Sequence, residues 1–200
     1  MTNGRNAVVY VSDFKDALFF ETSLRSLRFF DPAIDVFVLT DKKLITENAS
    51  KTLGRYDAKP IFVENLYYRH FRNIDSCKIH KWSKFVFYRL LIPFIPELRN
   101  YDNILYMDTD TIFVKDFTFL FKLDTARPFG MFYWKRHGRG KIRRNLETAY
   151  RYSVEKGAAP ERFPDPYYNA GIILFNNAVL QTQIREWENK LHMFDGIFDP

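Results

Sequence analysis

Two carboxylates separated by one residue follow directly on an apolar run in the string ILYMDTDTIFV, Ile104 to Val114. Strand side chains alternate, so a strand here sends Asp108 and Asp110 out of its end on one face. Two hard oxygen ligands held that close can take a divalent cation such as Mg²⁺ or Mn²⁺ and leave coordination positions for phosphate oxygens. The same residues also suit a turn capped by acids, or a phosphohydrolase with Asp108 as nucleophile. Such hydrolases carry Thr or Val four residues after that aspartate. This chain has Ile112 there, without a hydroxyl, and the motif sits mid-chain.

Three further segments carry usable chemistry. In YYNAGIILFN, Tyr167 to Asn176, the amide of Asn169 can donate to and accept from hydroxyls, while Ala170 and Gly171 leave room for a ligand to approach the backbone. A loop leading into a strand explains the same letters. In VYVSDF, Val11 offers backbone groups and Asp13 a carboxylate to the edge of a base, or Asp13 is a turn residue. In WSKFVFYRLL, Lys84 and Arg89 can neutralise a diphosphate, Arg89 through its fork of donors, or both are surface cations lying along an apolar face.

The elements that must position these residues alternate in type. Ala7 to Val11, Val36 to Leu39, Pro60 to Val63, Ile104 to Met107, Phe129 to Tyr133 and Ile172 to Phe175 read as strands, several of them continuously apolar. Helices are expected over Asp16 to Phe30, from Thr40-Asp41 to near Gly54, over Trp82 to Leu91 and over Val179 to Met193. This alternation predicts an α/β fold, a mainly parallel sheet with helices on both faces. Ligands then collect at the carboxyl ends of the strands, where the D-x-D pair is expected.

Composition narrows the classes. The chain has 200 residues, 46% hydrophobic and 27% charged, with 30 Lys and Arg against 24 Asp and Glu for a net charge of +6. Disorder, a collagen-like fibre and a disulfide scaffold are excluded. The lone Cys77 suits a reducing, cytoplasmic setting, and neither a leader nor a transmembrane segment is read. Lys135 to Arg144 concentrates six cations and two glycines in ten residues. It reads as a solvated loop; with no aromatic residue interleaved to stack on bases, no nucleic-acid partner is expected.

Taken in order, VVYVSD, FYRLLIP, ILYMDTDTIFVKD and YYNAGIILFN resemble glycosyltransferase family 8, over Ala7 to Asn176. The resemblance implies a GT-A fold, a Rossmann-like domain expected over residues 1–200, with a UDP-sugar donor bound through Mn²⁺ or Mg²⁺ and a glycan or other hydroxyl acceptor. It further implies that Val11 and Asp13 hold uracil and that Arg89, with Lys84, faces the diphosphate or donor sugar. Asp108 and Asp110 would ligate the metal, with Thr109 between them at the nucleotide sugar, and Asn169, Ala170 and Gly171 would contact the sugar. The chain departs from the family pattern twice. An Asp-Gln pair after N-A-G is replaced at best by Asp195-Gly196, and His70, His80, His137 and His192 all lack the H-x-x-G-x-x-K-P-W context of the family's later metal ligand. The family implies retention of anomeric configuration; inversion would need a carboxylate base, for which Asp195 is the candidate. A UDP-sugar-binding domain without turnover is the other reading.

Overall fold

The apolar runs AVVYV, VFVL and ILYM form the central strands of one sheet because they are buried on both faces, as parallel strands covered by helices must be. The computed structural model describes residues 4–76, 83–123, 126–133, 154–155 and 168–196. The strands are β1 (Asn6–Val11), β2 (Asp35–Thr40), β3 (Ala58–Phe62), β4 (Asn103–Met107), β5 (Phe129–Tyr133) and β6 (Tyr168–Asn176), in the order β3-β2-β1-β4-β6-β5. The first four run parallel, and β6 runs antiparallel to both β4 and β5. The expected mainly parallel α/β sheet is therefore present, with one reversed strand. Pro60 is accommodated because β3 is the edge strand, where a missing N–H breaks no ladder.

Alternation along the strands sorts the core into two layers. Ala7, Val9, Phe37, Leu39, Ile104 and Tyr106 pack on one face against α3 (Glu64–His70), α5 (Phe85–Tyr88) and the later α7 (Ile184–Gly196). Val8, Tyr10, Val36, Val38, Leu105 and Met107 pack on the other against α1 (Ala17–Phe30) and α2 (Glu47–Arg55). From β1 the chain goes first to β2 on one side and later to β4 on the other. The β1/β4 border is thus the switch point, where a crevice opens beyond the strand ends.

Three expected helices are shorter or broken. The segment after Thr40 is a 3-10 turn, Lys42–Leu44, and α2 begins only after Thr46, whose hydroxyl accepts from Ala49 N at 3.2 Å. Asp41 precedes the 3-10 turn, its carbonyl accepting from Leu44 N at 3.0 Å, but its side chain caps nothing; it is buried and receives the Tyr88 hydroxyl. Residues 83–94 hold a single α-turn, α5, that tightens into a 3-10 stretch, Arg89–Phe94, because Pro93 cannot donate and disfavours α geometry before it. The final helix is two, α6 (Asn177–Thr182), capped by Asn176, and α7, with the joint at Gln183. Between α3 and α5 lies the single turn α4 (Asn73–Ser76). Cys77 and the basic run Lys135 to Arg144 lie outside the described residues.

Candidate active site at the β1/β4 crevice

A cavity of about 320 Å³ opens at the carboxyl ends of β1 and β4. Val11, Ser12, Asp13 and Asp16 form its β1 side, Tyr106, Asp108, Thr109 and Asp110 its β4 side, and Ser83, Phe85 and Val86 close it. The strand ends one residue before the acidic pair. Asp108 accepts from Thr111 N at 3.2 Å, so the two carboxylates leave from a turn and not from strand alternation as expected.

Asp108 is fixed from several directions. Its backbone N–H donates to Gly171 O at 2.8 Å, extending the β4/β6 ladder by one step. Its Oδ1 accepts from the Tyr106 hydroxyl and lies 3.4 Å from Arg89 Nη1. Burial, foremost, and the adjacent Asp108 charge push the Tyr106 phenol far above its usual range, against the opposing pull of Arg89, so it stays protonated as donor. Among the described residues nothing donates to Oδ2 of Asp108 or to Asp110. Two neighbouring carboxylates with such oxygens, beside one turn at the cavity, fit a divalent cation by donor chemistry.

The N-A-G string works differently from the expectation. Met131 pairs with Ile173 but Phe132 pairs with Asn169, so residues 170–172 have no partner on β5 and β6 bulges there. The bulge carries the backbone against Asp108: a Cβ at Gly171 would stand 2.7 Å from Asp108 Oδ2 and 3.0 Å from Asn169 Oδ1. The space kept by glycine is filled by the aspartate, which needs it for its position. Asn169 Oδ1 accepts from Gly171 N at 2.7 Å, which leaves its amide N–H₂ for other partners. The freed Ala170 carbonyl accepts from Arg89 Nη1 at 2.8 Å.

Arg89 is accordingly committed inside the protein. Its Nε donates to Val86 O at 2.9 Å, and the side chain is only 15% exposed. It braces α5, the bulge and Asp108, a positioning role where a diphosphate contact was expected. Lys84 also departs from expectation: it pairs with buried Asp41 at 2.8 Å, among the rings of Tyr67, Tyr68, Phe85 and Tyr88, and does not line the cavity. Although burial opposes its charge, the hydrogen bond and charge of Asp41 hold its pKa above the ordinary lysine range. Asp195 is corrected as well. It is buried, and its two oxygens accept from the backbone N–H groups of Arg72, Asn73 and Ile74 at 3.0–3.1 Å. A carboxylate spent on three amides, away from the cavity lining, is not placed to deprotonate an acceptor.

On the β1 side Asp13 stands both at the cavity and in the turn. It lines the cavity, and it shapes the turn by accepting from Lys15 N at 3.1 Å while pairing with Lys15 Nζ at 3.1 Å. Ser12 Oγ accepts from Phe14 N, and Phe14 sits at φ 60°, a left-handed geometry that bends the chain sharply from β1 toward α1. Ser12, Asp16, Phe85 and Tyr106 were not singled out in the sequence. Tyr106 had a signal: it stands only two residues before Asp108, whose Oδ1 its hydroxyl reaches.

A family model described as glycosyl transferase family 8 matches residues 28–189. Solved structures share the architecture. A galactosyltransferase, LgtC, in complex with donor and acceptor sugar analogues is 19% identical, with TM-score 0.61, over 96% of this chain and 70% of that one. The bifunctional glycosyltransferase WbbM is 16% identical, with TM-score 0.60, over 99% and 38%. Core-mannan synthase A from Aspergillus fumigatus, in a Mn/GDP form, is 12% identical, with TM-score 0.57, over 98% and 66%. No curated protein matches the sequence significantly. Among the described residues no helix is long and apolar enough to cross a membrane.

Proposed function

The chain belongs to glycosyl transferase family 8, and from that premise we propose that it moves a hexose from a UDP-sugar to a hydroxyl acceptor with Mn²⁺ or Mg²⁺ bound at Asp108 and Asp110. One observation carries the metal dependence. The described wall of the crevice holds four carboxylates, Asp13, Asp16, Asp108 and Asp110, and no lysine or arginine. Lys15 pairs with Asp13 and Arg89 approaches Asp108, but Asp16 and Asp110 have no cationic partner among the described residues. A diphosphate entering the wall therefore meets like charge unless a cation lies between them. The cation supplies electrophilic stabilisation of the diphosphate as the anomeric bond breaks.

The chain's own residues do the rest. Asp13 accepts the uracil N3–H, with the Val11 backbone beside it, at the β1 end of the cavity. Tyr106 and Arg89 hold the Asp108 carboxylate in one orientation, so the site is built before the donor arrives and little reorganisation remains in the reaction. Asn169 offers its amide N–H₂ to sugar hydroxyls, and Ala170 and Gly171 bring backbone close to them. With Asp195 occupied elsewhere, retention is the stereochemical outcome we carry forward.

A thermal-shift series with UDP, GDP, ADP and several nucleotide sugars, each with and without Mn²⁺, tests this reading. Ligand at a hundred times its Kd adds roughly 2.7 kcal/mol, or about 5–10 °C in Tm for a chain of this size. UDP and UDP-sugars should give that shift only with Mn²⁺. Equal shifts from all three diphosphates, or shifts indifferent to metal, would remove the assignment.

A further inference from the structure

A second group of metal-ligating side chains lies away from the crevice. His70 closes α3, and Glu188 and His192 stand four residues apart on α7, a spacing that puts them on one helix face. One ligand atom from each of the three lies within 4.8 Å of the other two. His70 is 3% exposed, and its Nδ1 is buried without a hydrogen-bond partner among the described residues. The ring is held flat against Phe94, with centroids 4.5 Å apart, and faces the His192 ring at 5.6 Å.

We infer that His70, Glu188 and His192 form a binding site for a Zn²⁺-class transition-metal ion that clips α7 to α3. Two imidazoles and a carboxylate are a borderline donor set, suited to Zn²⁺ or Co²⁺ and poorly matched to Mg²⁺, whereas the all-oxygen pair at Asp108 and Asp110 has the opposite preference. A tetrahedral ion needs its ligand atoms closer together than the 4.8 Å limit, and two of the three can move to meet it, because Glu188 is half-buried and His192 exposed. The buried His70 supplies the rigid corner.

The placement gives the ion a structural task. Two residues beyond His70, the backbone amides of Arg72 to Ile74 are already tied to Asp195 at the far end of the same α7. A metal bridge one turn earlier on α7 would fasten the same two segments a second time. A stabilised α7 in turn keeps Trp187, whose indole donates to Leu90 O at 3.1 Å, against the stretch that carries Arg89.

The test uses the untagged chain carrying Asp108→Asn and Asp110→Asn, so that metal at the crevice does not contribute. Zn²⁺ is titrated by calorimetry, and Co²⁺ is followed by its visible ligand-field absorption. One ion per chain is expected, with a Tm that rises on adding Zn²⁺. Glu188→Gln and His192→Gln, both at positions that tolerate change without threatening the core, should each weaken Zn²⁺ binding about tenfold or more and diminish the cobalt band. Absence of binding to the parent chain, or binding to both variants with the parent's affinity, would overturn the site. Neither result depends on sugar transfer, so the outcome stands apart from the function assigned to the crevice.

Discussion

Asp108 owes its position to a phenol on one side and a missing methyl on the other. Replacing Tyr106 by Phe removes the hydroxyl that orients Oδ1 while keeping the ring in the core. Loss of such a supporting bond typically costs 10–100-fold in metal affinity, so Tyr106→Phe should weaken Mn²⁺-dependent UDP binding by about tenfold or more with the protein still folded. Calorimetry in the presence and absence of Mn²⁺ measures this, and an unchanged affinity would make the bond incidental. Gly171→Ala puts a Cβ 2.7 Å from Asp108 Oδ2, inside any tolerable contact, so the carboxylate must swing away. Its expected signature is lost Mn²⁺-dependent UDP binding with circular dichroism and urea midpoint close to wild type. A large drop in the midpoint instead would mean that the bulge itself had failed.

At the scale of elements, the strands were legible and the short helices were not. Continuous apolar runs such as AVVYV and VFVL specify buried strands almost unaided, and all six expected strands are present within two residues at most ends, with β6 extending further back to Tyr168. Residues 83–94 show why helices fared worse. Their apolar spacing suits a helix, yet Pro93 and the pull of Lys84 toward Asp41 leave one α-turn followed by 3-10 geometry. Arg89 therefore points at Ala170 and Asp108, a partnership separated by 81 residues from its bulge contact and invisible to local pattern. The acidic pair itself was legible, because apolar letters running into D-x-D need no tertiary information. Asp195 was misread for the opposite reason: its partners are backbone amides of residues 72–74, which no letter announces. Asp195→Ala should leave those buried amides unpaired, costing about 1–3 kcal/mol in urea unfolding, while kcat of the folded enzyme at saturating donor stays near wild type. A catalytic collapse without loss of stability would restore Asp195 as a base.

Across the whole molecule, the two ends of the sheet divide stability from chemistry. At the amino ends of the strands Asp35 receives Tyr101 at 2.8 Å, Lys59 at 3.0 Å and Arg5 at 3.2 Å, fastening β2 to its neighbours. Burial there would raise the Asp35 pKa, but the hydrogen bonds from Tyr101, Lys59 and Arg5 together outweigh it and hold the carboxyl below its usual range. The folded state thus binds this proton more weakly than the unfolded chain does. The stability it contributes is present above the unfolded carboxylate range, near pH 4, and is lost as pH falls through the lower folded value. Asp35→Asn should be less stable than wild type at pH 7, with the difference shrinking toward pH 2–3 in urea melts; a constant difference would contradict the linkage.

At the other end, the order β3-β2-β1-β4 opens the crevice where β1 and β4 diverge, and both acidic loops meet there. Calorimetric titration of UDP into wild type and into the Asp108→Asn, Asp110→Asn double variant, each with Mn²⁺ and with a chelator, bears most directly on that arrangement. Wild type should bind UDP with Mn²⁺ and lose most of that affinity with chelator, and the folded double variant should bind weakly under both conditions. Equal Mn²⁺-dependent affinity in wild type and double variant would contradict the metal site at Asp108 and Asp110.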